Sequence, residues 1–363
     1  MIFMGTSGAN SRTAVGSTPL QATGIRWILL VPALAACARG GEEIGVSLIT
    51  KNSSNPFFVS MQQGARREAA TYKVDLTIAA GKRDGDEETQ VQAIENAIAR
   101  GERGILITPN GPGVNAALRK AREAGLYVIA LDTPTDPPEV VDITFATDNF
   151  KAGALIGHWS RGTLRGKAAT IAVLDLFADK LVSVDVERNQ GFLTGMGIST
   201  ADPKRKGDEP REGRYADGAY TIACSEPTLG AEDGGRTAME ACLARNAEIN
   251  IVYTVNEPSA LGAFKALQAA GREKGVLIVS VDGGCAGVKL VKEGIVGATA
   301  QQYPLRMAAM GVEAIARIAM GGATPHTSAG LAFFDTGVAL VTDQPVPGLE
   351  SIDTGQGLAQ CWG

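Results

Sequence analysis

Two pairs of polar residues occupy matching places in a repeated pattern. Residues 105–132 run ILITPNGPGVNAALRKAREAGLYVIALD, and residues 251–282 run IVYTVNEPSALGAFKALQAAGREKGVLIVSVD. Each reads as strand, Asn, loop, alanine-rich helix, strand, Asp, so the pairs are Asn110/Asp132 and Asn256/Asp282. A carboxylate accepts hydrogen bonds and an amide both donates and accepts, so such pairs can hold several hydroxyls at once. A third stretch, KNSSNPFF at residues 51–58, sets polar groups beside two rings. Asn55 reads as a helix N-cap and Pro56 as the first helical residue, which leaves one ring of Phe57 and Phe58 to face a cleft and the other to pack below. A monosaccharide needs this chemistry: its C–H faces stack on a ring while Asp, Asn, Gln and Arg hold its hydroxyls.

The elements that must position these groups are legible as an alternation. From residue 43 onward, short β-branched runs (EIGVSLIT, VDLTIAA, RGILIT, LYVIAL, ITFAT, AATIAVL, AYTIAC, NIVYTV, VLIVSV and VGATAQ) alternate with Ala/Leu/Arg/Glu segments of helical period. That pattern predicts an α/β fold with parallel sheets. Ten strands are many for one doubly wound sheet, so two Rossmann-like lobes are the economical division, with a first crossing near residues 146–149. In parallel sheets ligands gather at the carboxyl ends of strands, where both Asn/Asp pairs and KNSSNPFF fall. One set per lobe, facing across a cleft, makes an interdomain site. The polar stretch 200–218, rich in Pro and Gly, reads as an exposed insertion.

Several functions are disfavoured by composition and motif. The chain has 363 residues and a formal charge of −5, and its longest basic run is the KRK at 204–206, so nucleic acid is not an expected partner. GPGVNA at 111–116 loosely fits a dinucleotide fingerprint, but it follows the third strand rather than the first. There is no phosphate-binding G-x-x-x-x-G-K-[ST] loop, no G-x-S-x-G elbow and no H-E-x-x-H helix. The two histidines, His158 and His326, are near no cysteine, so no metal and no cofactor is expected. Paired carboxylates could in principle serve an exported carbohydrate-active enzyme, but nothing places them around a bond rather than around hydroxyls.

Residues 1–37 contain no acidic side chain, and Arg26 precedes the apolar run WILLVPALAA, which ends in LAAC. That is the pattern of an export leader whose cysteine, Cys37, is lipidated and becomes the mature N-terminus. Its removal would leave 32 basic against 39 acidic side chains, a charge of −7. Export permits disulfides among Cys224, Cys242, Cys285 and Cys361. Three pairings are possible. Cys224 with Cys242, and Cys285 with Cys361, are favoured because the first pair flanks one loop-plus-helix segment and the second could tie down the tail.

Seven blocks in order, ITKNSSNPFF, VIALDT, ATDN, VERNQGF, VNEPSALGAFKAL, VSVDGG and ATAQQYP, resemble the ribose- and fructose-binding proteins of bacterial ABC importers, the type I periplasmic sugar-binding family. The resemblance spans roughly residues 43–320. The block LFADKLVSVDVERNQGF, the GGC at 283–285 and the closing CWG are similar to the hexose-type members. It implies two lobes joined by a three-strand hinge: a signal peptide at 1–37, a first lobe at 38–147 completed by 303–331, and a second at 148–302 completed by 332–363. It also implies ligand roles. Asn55 would bond hydroxyls, Phe57 and Phe58 would form a stacking wall, Asp132 would accept from two hydroxyls, and Arg188 would donate from the second lobe. Asn256 and Asp282 would clamp the middle of the sugar, and Gln302 would sit at a crossing strand. Lys51 stands where the ribose binder has serine, and Thr133 where it has arginine, so a hexose such as glucose or fructose is expected. The ribose binder's second-lobe aromatic has no clear counterpart, and Phe177 is the candidate to close that side. The implied protein is a monomeric lipoprotein that closes on one monosaccharide and delivers it to an ABC permease, touching the membrane only through its anchor. A sugar sensor serving chemotaxis or signalling is the alternative within the binding class.

Overall fold

The computed structural model describes residues 44–216 and 218–363. The expected leader, the expected lipidation site Cys37 and the expected start of the first lobe at 38–43 lie outside the described residues.

The first lobe is built from β1 (Ile44–Thr50), α1 (Pro56–Tyr72), β2 (Val74–Ala80), α2 (Glu87–Arg100), β3 (Gly104–Ile107), α3 (Asn115–Glu123), β4 (Tyr127–Leu131) and β5 (Ile143–Ala146). The chain then enters the second lobe with α4 (Asn149–Leu164), β6 (Ala169–Asp175), α5 (Ser183–Met196), β7 (Glu212–Tyr215), β8 (Gly218–Pro227) and α6 (Glu232–Arg245). That lobe continues through β9 (Ile251–Thr254), α7 (Glu257–Ala269), β10 (Leu277–Asp282), α8 (Cys285–Lys292) and β11 (Ala298–Gln301). Next α9 (Pro304–Ala319) and β12 (Phe334–Asp335) return to the first lobe, and β13 (Ala339–Val341) and α10 (Thr354–Gln360) finish in the second.

Each lobe is a sheet with helices on both faces. The first sheet runs β12-β5-β4-β3-β1-β2 and is parallel throughout. The second runs β13-β11-β10-β9-β6-β8-β7, parallel except for its two edge strands, which pair antiparallel. Central strands such as β3 and β9 are buried along their whole length, as sheets covered on both faces require. On one face of the first sheet, α9 supplies Met307, Ala308, Val312 and Ile315 to a core shared with Phe57, Phe58 and Met61 of α1.

The chain crosses between lobes at residues 147–148, 302–303 and 336–338. The last crossing departs from the sequence-based boundary at 331/332. Phe334–Asp335 adds to β5 in the first sheet, so the first lobe keeps the chain a few residues longer. The insertion at 200–218 is likewise not wholly irregular, because Glu212–Tyr215 hydrogen-bonds along β8 as an edge strand with three of its four residues exposed.

The helix that carries Arg188 is held by backbone-to-backbone packing. A Cβ on Gly153 of α4 would stand 2.1 Å from the Arg188 carbonyl oxygen, and one on Gly191 of α5 would stand 2.1 Å from the Phe150 carbonyl oxygen. Gly157 and Gly195 repeat the arrangement one turn on, which gives α4 and α5 a side-chain-free seam. The structure joins Cys224 to Cys242 and Cys285 to Cys361, with Cα–Cα distances of 5.5 and 4.9 Å.

Candidate functional site

The loops at the carboxyl ends of the strands in both lobes enclose a cleft of about 420 Å³, including space open to solvent. The first lobe lines it with Lys51, Asn55, Phe57, Phe58, Asp84 and Asp132, and the second with Leu176, Val184, Arg188, Val255, Asn256 and Asp282. Eight of the nine sequence-predicted site residues meet here, and Gln302 stands behind them.

Asn55 caps α1, its side-chain oxygen accepting from the Phe57 N–H at 2.9 Å. With Pro56 as first helical residue, the cap fixes the two rings at the helix start. Phe57 and Phe58 meet edge to face, centroids 5.4 Å apart, and both are buried. Lys51 extends from the end of β1, its ammonium 4.0 Å from the Asp132 carboxylate. Asp132 follows β4 with a left-handed φ of 64°. Its Oδ2 accepts from the Thr133 hydroxyl at 2.8 Å, whereas its buried Oδ1 has no hydrogen-bond partner among the described residues.

In the second lobe Arg188 is fastened from three directions. Its Nε donates to Asn149 Oδ1 at 2.8 Å, and its Nη1 donates to the Val255 carbonyl at 2.8 Å and to Asp282 Oδ1 at 3.3 Å. Asp282 ends β10 with φ 130°. Burial pushes its carboxyl up to about 7, against the pull of Arg188, and the charge of Asp132 adds to the rise. Gln302 donates to Asp282 Oδ1 at 2.9 Å and does not line the cleft, so it acts on the site by holding Asp282. Asn256 caps α7, accepting from Ser259 N at 3.2 Å, and also donates to the Gly230 carbonyl at 3.0 Å. Beneath Asp282, Glu257 accepts from the backbone N–H groups of Gly283 and Gly284 and from the Thr299 hydroxyl. Burial raises its pKa to about 8, with the Asp282 charge contributing.

Two sequence-based readings need correction. Asn110, the partner of Asp132 in the internal echo, faces loops rather than the cleft. Its side chain accepts from Gly85 N and donates to the Lys51 and Asp86 carbonyls, stitching the loops together. Phe177 does not close the second-lobe side; it packs with Leu176, Val182, Val184 and Val255, under the Lys180 ammonium 5.6 Å from its ring. The second-lobe wall is aliphatic, made by Leu176, Val184 and Val255. In the GPGVNA loop, set aside above as a nucleotide site, Glu87 Oε1 accepts from Gly113 N at 3.1 Å. Sequence reasoning missed that aliphatic wall and one polar residue, Asp84, in the loop after β2. It receives a hydrogen bond from Asn52 and lines the cleft. The run GKRDGD around it carried no signal beyond a turn.

A family model described as "periplasmic binding protein domain" matches residues 44–323. The chain is 28% identical over 277 residues to the ribose import binding protein of Escherichia coli, covering 76% of this chain and 85% of that protein. Its fold matches an ABC transporter periplasmic solute binding protein from Actinobacillus succinogenes, solved with bound D-allose, at a TM-score of 0.70 and 22% identity, covering 87% and 99% of the two chains. A galactofuranose binding protein matches at a TM-score of 0.71 and 23% identity, covering 87% and 97%. Each of these relatives is named for binding a solute, none for transforming one. Two α/β lobes, a polar cleft between their strand ends and a family match over most of the length agree: the chain belongs to the periplasmic binding protein domain family.

Proposed function

We propose that this protein is the extracytoplasmic receptor of a bacterial ABC sugar importer, closing its two lobes on one monosaccharide and presenting it to a membrane permease. It binds and does not catalyse. The observation that carries the reading is the cleft itself, where a ring wall from Phe57 and Phe58 faces carboxylates and a guanidinium drawn from both lobes. A ligand that touches both lobes stabilises the closed form and so drives hinge closure. The cationic groups lining the cleft, Lys51 and Arg188, are matched by Asp84 and Asp132, with the raised carboxyl of Asp282 beside them, so no excess of positive charge awaits an anion and a neutral polyol suits the cleft better than a sugar acid or phosphate.

Within this reading Lys51, Asn55, Phe57, Phe58, Asp132, Arg188, Asn256 and Asp282 contact the sugar, and Gln302 orients Asp282. The unpartnered Oδ1 of Asp132 accepts from a sugar hydroxyl. Two relatives are named for ribose and galactofuranose, and a third was solved with bound D-allose. A hexose is the preferred ligand here, with Lys51 and Thr133 replacing the serine and arginine of the ribose pattern. The mature protein is a monomeric lipoprotein held at the membrane by Cys37. Calorimetric titration with D-ribose, D-allose, D-glucose and D-fructose tests the reading, with mass spectrometry on the recovered sugar. Saturable binding of one unchanged sugar is expected, whereas conversion to a product, or no binding at millimolar concentration, overturns it.

A further inference from the structure

The tail of the chain bridges the two lobes. Cys361 is bonded to Cys285 at the start of α8, and the Cys285 N–H donates to the Trp362 carbonyl at 2.8 Å, which fixes the tail to the second lobe. The Trp362 indole turns into the first lobe. Its ring stands edge to face against Phe57, centroids 5.2 Å apart at 83°, in the core that also holds Phe58 and Met61. Its Nε1–H donates to the Gln302 carbonyl at 2.9 Å, at the second crossing. Trp362 therefore touches one residue that lines the cleft, Phe57, and one that holds a lining residue, Gln302 on Asp282, without lining the cleft itself. The fit is close, because a Cβ on Gly284 would already stand 3.4 Å from the indole.

A stacking wall is useful only if its plane is fixed. Phe57 sits in the first turn of α1, where the ring is braced by Phe58 on one side and Trp362 on the other. Without the indole the ring gains rotamer freedom, and ligand binding must then pay to order it. Loss of the Nε1–H bond also removes one of the ties on the crossing segment, leaving Gln302 held by its own N–H to the Asp282 carbonyl at 2.9 Å.

We infer that Trp362 is a positioning residue of the cleft, fixing the Phe57 wall and the Gln302–Asp282 pair in one step, with the Cys285–Cys361 bridge holding it in place. The inference rests on the sugar-receptor reading. The test titrates the full chain with D-ribose, D-allose, D-glucose and D-fructose, comparing wild type with Trp362→Ala, Trp362→Phe and the double substitution Cys285→Ser/Cys361→Ser. Thermal melts accompany each titration. Trp362→Ala weakens the bound sugar about tenfold or more, Trp362→Phe restores most of the loss by keeping an edge on Phe57, and the double serine variant falls between them. Sugar changes the tryptophan emission of the wild type, and that change is markedly smaller in Trp362→Phe, where Trp159 of the second-lobe core still emits. If the alanine variant does not fold, the emission difference and the double serine variant decide. A wild type that binds none of the four sugars fails the receptor reading and takes this inference with it. Wild-type binding that Trp362→Ala leaves unaltered, or a sugar-induced emission change that Trp362→Phe leaves undiminished, overturns this inference alone.

Discussion

Arg188 Nη1 lies 3.3 Å from Asp282 Oδ1 while donating to the Val255 carbonyl at 2.8 Å, so one guanidinium nitrogen links the ends of β9 and β10 at the floor of the second lobe. Removing either charge leaves the other buried with fewer partners, and leaves sugar hydroxyls unmatched in the closed cleft. Asp282→Ala and Arg188→Ala are each expected to weaken sugar binding by roughly 1.5–3 kcal/mol or more, tenfold to hundredfold in affinity. Calorimetry measures the loss and circular dichroism confirms folding. Folded variants that both bind as the wild type does would remove these residues from the site.

The seam between α4 and α5 leads to a second expectation. Gly191→Ala places a methyl group against the Phe150 carbonyl oxygen, so the helices must part or shift. Overpacking of this kind costs about 1–3 kcal/mol. The melting temperature should drop and affinity should fall with it, since α5 carries Arg188. Gly207→Ala is the control for position, its Cβ meeting nothing within 4 Å, although its φ of 77° adds a local strain of its own. A Gly191→Ala protein with unchanged stability and affinity would show that the seam has slack.

Buried acids set a pH dependence. Glu257 is raised to about 8 and Asp282 to about 7, chiefly by burial. A carboxyl group raised on folding keeps its proton in the native state after the unfolded chain has released it. Its contribution is therefore full below the ordinary carboxylate range and is lost as pH rises through the folded value. Stability should fall between about pH 4 and 8, by at most about 1.4 kcal/mol per pH unit for each group. Glu257→Gln should flatten the upper part of that slope, read from melting temperatures of the ligand-free protein. An identical slope in the variant would mean that Glu257 does not titrate there.

The cysteine pairing is open to direct chemistry. Non-reducing peptide mapping should link Cys224 to Cys242 and Cys285 to Cys361, each bridge contributing on the order of 2–4 kcal/mol. Free thiols at these four positions in protein recovered from an oxidising compartment would contradict it.

The leader makes its own prediction. Metabolic labelling with a fatty acid should mark the wild type and not Cys37→Ala. Label retained by the variant would remove the lipid anchor from the proposal.

How far the sequence revealed this molecule can be read from particular elements. Strands such as Gly104–Ile107 and Ile251–Thr254 are buried on both faces and therefore spelled as unbroken apolar runs, so the two-lobe plan was legible. Phe334–Asp335 and Ala339–Val341 are too short to show a period, and Glu212–Tyr215 is an exposed edge, so all three were missed. Asp132 and Asp282 were legible because a strand end marks its own position. Asn110 occupied an equivalent place and was drawn instead into a loop network, because the neighbouring carbonyls of Lys51 and Asp86 were within its reach. Asp84 and Trp362 owe their places to contacts between segments far apart in the chain, which no local pattern encodes.

The return of α9 to the first lobe has a consequence for the order in which the protein can form. Met307, Val312 and Ile315 complete the core under α1, so the first lobe lacks one wall until those residues have been synthesised. The second lobe waits in the same way for Leu340, which lies in its core. Neither lobe is therefore a contiguous unit that can fold early while the rest is made. The first core is incomplete until Ile315 has been synthesised and the second until Leu340 has, so the two lobes become able to form within a short interval of each other.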